Sequence, residues 1–184
     1  KNQPNYFMRK LLFSIAFLFA VQLSSQEKLG RPFFTSTFNF TLGINENYTL
    51  DPDDGEPLIV PAAIFLRLGV GYEFKRRLAV SLHAGYDFHW NYAVDAFPTY
   101  TTLRYNITER EDDAFFIETS YGKMWRPSNR YPDGNYYGFG IGGQIAGGKR
   151  VNTIIRLDFH RKGLLGFKNN RLDSVSFGIG FSFY

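Results

Sequence analysis

From residue 34 onward the chain alternates apolar and polar positions with a period of two, in eight separate runs. That period marks a strand with two unlike faces, because successive side chains leave a pleated backbone on opposite sides. In the first run Phe34, Ser36, Phe38, Phe40, Leu42 and Ile44 share one face, and Thr35, Thr37, Asn39, Thr41 and Gly43 share the other. The second sets Ile64, Leu66, Leu68, Val70, Tyr72 and Phe74 against Ala63, Phe65, Arg67, Gly69, Gly71 and Glu73. The third is the cleanest, with Leu78, Val80, Leu82, Ala84, Tyr86, Phe88 and Trp90 opposite Ala79, Ser81, His83, Gly85, Asp87 and His89. A weaker fourth run places Leu103, Tyr105 and Ile107 opposite Thr102, Arg104 and Asn106. The remaining runs cover residues 115–121, 137–145, 151–159 and 175–183.

Segments rich in Asp, Asn, Gly and Pro separate the runs, as turn chemistry requires. Short connections fall at 75–77, 109–113 and 147–150; longer ones fall at 45–61, 91–98, 126–135 and 161–170. Long and short therefore alternate. This rhythm predicts an all-β fold, an eight-stranded antiparallel up-and-down barrel with four loops at one end and three turns with both termini at the other.

The polar face predicts which side points out. It carries Gly69, Gly71, Gly85, Gly138, Gly140, Gly142, Gly178 and Gly180. Small residues suit the crowded interior of an eight-stranded barrel, which side chains just fill. The bulky face then looks onto lipid, and runs of about ten residues match a tilted transmembrane strand. Tyr72, Phe74, Phe88, Trp90, Tyr121, Trp125 and Tyr137 lie near run ends, where interfacial aromatic girdles belong. The rival reading is a soluble, lipocalin-like ligand-binding barrel, which would turn its apolar face inward.

Residues 1–26 read differently. Met8-Arg9-Lys10 precedes an apolar stretch from Leu11 to Leu23, then Ser24-Ser25-Gln26. A basic start, a short apolar core and small residues at the end make a cleavable signal peptide, with residues 1–7 as an upstream extension. The barrel domain is then 27–184. Lys1, Arg9 and Lys10 leave with the signal, so the formal charge falls from +4 to +1 and a nucleic-acid partner loses its electrostatic basis. The absence of cysteine excludes a disulfide framework, a thiolate nucleophile and a lipidated N-terminus.

The signal segment, the alternating strands and the terminal stretch Ser174-Val175-Ser176-Phe177-Gly178-Ile179-Gly180-Phe181-Ser182-Phe183-Tyr184 together resemble the small outer-membrane β-barrels of OmpA/OmpX type. The resemblance spans about residues 30–184. It implies an integral outer-membrane location with both barrel termini periplasmic. It also implies outer-membrane lipid and lipopolysaccharide as surroundings, and recognition of the last strand by the barrel-assembly machinery. One position departs from the pattern: Tyr184 falls on the opposite face from Phe177 to Phe183. Lipid A deacylases, also eight-stranded barrels, place a Ser two residues after a catalytic His. Here His83-Ala84-Gly85, His89-Trp90-Asn91 and His160-Arg161-Lys162 all lack it. A lipid A-modifying enzyme of deacylase or acyltransferase type stays the second reading, with no residue to carry it.

The expected interior collects Arg67, Glu73, His83, Asp87, His89, Arg104, Glu118, Arg156, Asp158 and His160. Three arginines face four carboxylates. Buried charges have to be paired, so this set predicts an ion-paired plug that fills the lumen and argues against a conducting pore. Ser81, His83 and Asp87 share that face, but a strand rise of about 3.3 Å per residue puts Asp87 roughly 13 Å from His83, too far to orient it in a triad. Basic residues at the loop end, namely Arg126, Arg130, Arg161, Lys162, Lys168 and Arg171, are candidates for lipopolysaccharide phosphates. The acidic stretch at 51–56 offers at most a weak calcium site. No metal, cofactor or catalytic residue is expected. The expectation is a non-enzymatic barrel acting in membrane integrity, adhesion or docking of an extracellular or envelope protein partner through its loops.

Overall fold

In the computed structural model the runs become eight strands: β1 (Gly30–Ile44), β2 (Ile59–Phe74), β3 (Leu78–His89), β4 (Val94–Arg110), β5 (Asp113–Trp125), β6 (Gly134–Ala146), β7 (Val151–Gly163) and β8 (Arg171–Phe183). The structure describes residues 30–44, 59–110, 113–126, 129–148 and 150–184. The signal segment at 1–26 and the acidic stretch at 51–56 lie outside them. Each strand pairs antiparallel with its sequence neighbours, and β1 closes on β8 from Phe34↔Phe183 to Gly43↔Ser174. Closure leaves no free sheet edge.

Local chemistry explains the connections. Lys75 and Arg76 take positive φ (46° and 58°) in the two-residue turn between β2 and β3, where Arg77 N–H donates to Phe74 O at 3.0 Å. Such turns favour Asn-Gly, because other side chains strain at positive φ. Here Asn106 of β4 supports the turn from the next strand, donating from its side chain to Arg76 O at 2.5 Å and from its backbone to Arg77 O at 2.8 Å. The second expected long loop is a correction. Residues 91–98 do not form a loop; a tight turn at 90–93 ends at Val94, and β4 carries Val94, Ala96, Pro98 and Tyr100 inward. Pro98 hid this strand in the sequence. It has no N–H to give, and the β3–β4 register skips it between Ala84↔Thr99 and Asp87↔Ala96.

The two faces differ sharply. Leu66, Leu82 and Phe139 expose 51%, 59% and 55% of their surface on the outside, while Phe65 and Asp87 are fully buried inside. A soluble ligand-binding barrel needs the reverse, so the lipocalin-like alternative is overturned.

Glycines make room where a large inward side chain leans on the next strand. A Cβ on Gly85 would lie 2.7 Å from Arg67 Cδ, and one on Gly142 would lie 2.5 Å from Phe116 Cζ. The loop end carries an apolar cap. Ala96, Met124, Leu164 and Leu172 are buried together beneath Tyr131 and Phe167, which meet edge-on at 5.6 Å.

Candidate functional site: the barrel interior and its loop-end rim

The interior is built in layers, because the register sets each inward residue beside its partners on neighbouring strands. Below the apolar cap lies the first charged layer. Arg67 of β2 pairs with Asp87 of β3, and Lys162 of β7 reaches the other oxygen of the same carboxylate at 2.5 Å. Lys162 also donates to His89 Nε2 at 2.6 Å and sits 3.9 Å above the Phe65 ring. Arg67 donates to the backbone carbonyls of Leu66 and Tyr86 as well, at 3.0 and 3.4 Å. All these side chains are buried.

The middle layer is aromatic. His83 stacks on Tyr100 at 5.0 Å, Tyr100 on Tyr136 at 4.6 Å, and Tyr136 shares a 2.5 Å hydrogen bond with His160 Nδ1. His160 Nε2 meets Ser176 Oγ at 2.7 Å. His83 Nε2 meets Ser81 Oγ at the same distance. That Ser–His pair lacks the triad's third member, because Asp87 is held by Arg67 and Lys162 in another layer.

Toward the turn end, Arg156 bridges Glu118 and Asp158, the second at 2.6 Å, and Asn39 donates to Asp158 at 3.4 Å. Arg104 stands in register beside Glu118, lies 3.4 Å over the Phe116 ring and donates to Gln144 at 3.4 Å. Glu73 accepts from Arg31 at 3.0 Å, and the single Tyr184 hydroxyl proton is shared between Glu73 at 3.3 Å and Gln144 at 3.2 Å. Tyr184 thus turns inward at this end, under the Arg31 guanidinium 3.6 Å from its ring. Burial and the neighbouring Glu73 carboxylate hold the Tyr184 phenol above its usual range, so it stays a donor.

The structure places all ten interior candidates inside and adds one the sequence reading put elsewhere. Lys162 is no surface cation. It is fully buried and continues the inward parity of Asp158 and His160 along β7. At that position it reaches the Asp87 carboxylate, which Arg67 also pairs. Among the loop-end cations, Arg126, Arg130 and Arg171 are exposed. Arg126 N–H donates to the Asp133 carboxylate, and Arg130 lies 5.6 Å from the Tyr131 ring. Arg161 holds Asp173 through two 2.8 Å hydrogen bonds, with Arg171 3.6 Å from the same carboxylate. The Lys168 side chain lies outside what the structure describes.

Among the described residues one interior cavity is small. A cavity of about 20 Å³ lies between Phe33, Ser81, His83, Arg104, Glu118 and Arg156. That is room for about one water molecule and for no solute.

No protein-family model matches this chain, and no curated protein sequence matches it. Among solved structures, the Neisserial surface protein A (NspA) overlays on 84% of this chain and 97% of its own, with a TM-score of 0.63 at 10% identity. This chain has the fold of a small outer-membrane β-barrel. The outer membrane protein AlkL (TM-score 0.47, 14% identity, 83% of this chain and 90% of that one) and Ail of Yersinia pestis (0.44, 11%, 85% and 98%) overlay this barrel more loosely. At such identities the likeness concerns the path of the backbone.

Proposed function

We propose that this chain is an integral outer-membrane protein with a plugged, non-conducting lumen, whose working surface is its loop end and outer wall. The observation that carries the reading is the sidedness of the barrel. Between the rims, Arg67, Asp87, Glu118, Arg156 and Asp158 turn inward and pair, while Leu, Val, Ile and Phe cover the outside. Only an apolar surrounding makes that arrangement favourable, since exposed apolar area costs about 25 cal/mol per Å² in water. Residues 1–26 act as the export signal. The strand ending at Phe183 is the segment offered to the barrel-assembly machinery, with Tyr184 folded in as a lumen cap. Both barrel termini face the periplasm, and loop residues 129–133 and 164–170 face outward. Arg126, Arg130 and Arg171 are placed to meet lipopolysaccharide, with Lys168 a fourth candidate. The role is non-enzymatic: support of the membrane, adhesion, or docking of a protein partner.

Envelope fractionation with protease shaving tests this reading. The expected result is recovery in the outer-membrane fraction, a heat-dependent shift in gel mobility, and cleavage in intact cells of a site inserted at residues 129–130. Folded protein in the aqueous fraction, or cleavage only after the outer membrane is opened, would refute it.

A further inference from the structure

A cleft of about 300 Å³ opens at the loop end, lined by Lys123, Asp133, Gly134, Asn135, Gly163, Leu165 and Asn170. The register shows how it is built. Lys123 of β5 pairs with Asn135 of β6, and Gly163 of β7 pairs with Arg171 of β8. These residues form an outward-facing row at the rim. One step nearer the middle of the wall lie Tyr121, Tyr137, Arg161 and Asp173, again in register, with the Tyr121 and Tyr137 rings 5.2 Å apart. Below them the wall is apolar through Phe139 and Phe159. Moving outward, a single strip of wall therefore passes from apolar, to aromatic, to a polar hollow.

We infer that this cleft seats the sugar headgroup of a membrane glycolipid, with the acyl chains lying on the wall below. The chemistry is that of sugar recognition. Asp133 supplies a carboxylate, one oxygen of which also accepts from Arg126 N–H; Asn135 supplies an amide that donates and accepts; Asn170, whose Oδ1 accepts from Gly166 N–H at 3.1 Å, supplies its amide N–H; and Leu165, 65% exposed, supplies an apolar edge. Lys123, near the Trp125 ring at 5.1 Å, adds a cation for an acidic substituent. Gly163 leaves the floor open, since it has no side chain to fill the hollow. The size lies at the low end for ligand pockets and suits one headgroup better than an extended chain. Continuity with the apolar wall selects a lipid-anchored sugar over a free one. This inference rests on the proposed outer-membrane placement and adds a seat for the sugar beside the exposed cations proposed for lipopolysaccharide.

The test uses the barrel refolded in phosphatidylcholine nanodiscs, with Trp90→Phe leaving Trp125 as the reporter. The probe is a rough lipopolysaccharide bearing lipid A and two inner-core sugars; phosphatidylglycerol is the anionic lipid without a sugar ring. Saturable quenching of Trp125 by the first and not by the second is expected. Gly163→Leu fills the floor. A Cβ there meets Asn135 N at 3.6 Å, an ordinary contact, so the strand tolerates it. This variant is expected to keep its heat-dependent mobility and to bind about tenfold or more weakly, and Asn135→Leu about fivefold more weakly, in line with one lost polar contact. Equal response to phosphatidylglycerol, no saturable response to either lipid, or unchanged binding by a folded Gly163→Leu barrel would overturn the inference. None of these outcomes bears on envelope fractionation, so the cleft and the outer-membrane placement fail separately.

Discussion

The two ends of the lumen hold their charges in different ways. At the loop end, one carboxylate, Asp87, serves two cations, Arg67 and Lys162, under an apolar cap. At the turn end, Glu73 pairs with Arg31, whose side chain is 30% exposed, and with a hydroxyl, Tyr184. Water reaches the second arrangement and not the first. A buried charge that loses its partner cannot recover hydration, whereas a charge at the rim can. The Asp87 layer is therefore the brittle end of the set, and the Glu73–Arg31 pair at the turn-end rim is the tolerant one.

Substitutions break or sharpen this contrast. The largest effect is expected from Asp87→Leu, which strands two buried cations. A loss of about 3–5 kcal/mol follows from the usual cost of breaking a buried pair, read as a lower urea midpoint in micelles. Arg156→Met is expected to cost nearly as much, because it unpairs Glu118 and Asp158, with Arg104 left beside Glu118 as partial relief. A Cβ at Gly85 would press on Arg67, so Gly85→Ala is expected to cost about 1–3 kcal/mol by overpacking. Gly143→Ala, facing outward with nothing within 4 Å, is its matched control and is expected to be neutral. Tyr184→Phe removes the hydroxyl proton shared between Glu73 and Gln144 and is expected to cost about 1 kcal/mol. Arg31→Gln, at a partly exposed pair, is expected to cost less than about 1 kcal/mol. Equal losses for Asp87→Leu and Arg31→Gln would erase the distinction between the two ends.

Much of this was legible in the sequence, because period-two parity is a local property. It separates inward from outward residues without knowledge of the partner strand. Lys162 shows how the reading fell short. It carries the same parity as Asp158 and His160, yet its charge and its nearness to a loop suggested the surface. Charge counting would not have found it, since Arg31 balances Glu73 and Lys162 shares Asp87 with Arg67; parity along β7 was the signal. The start of β4 was masked by Pro98 and by an outward Asp95, which the structure satisfies with the Tyr86 hydroxyl at 2.7 Å. Partner choice was not legible. That Tyr184 meets Glu73, or Lys162 meets Asp87, depends on the stagger at which the barrel closes, a property of all eight strands together. The rim cleft was invisible for the same reason, since its residues come from three strands and two loops.

The central claim is that paired side chains close the lumen. Single-channel recording on the purified barrel in planar bilayers tests it most directly. The account predicts no sustained conductance in the unmodified protein. Steady, long-lived openings in a folded, heat-shifting preparation would contradict it.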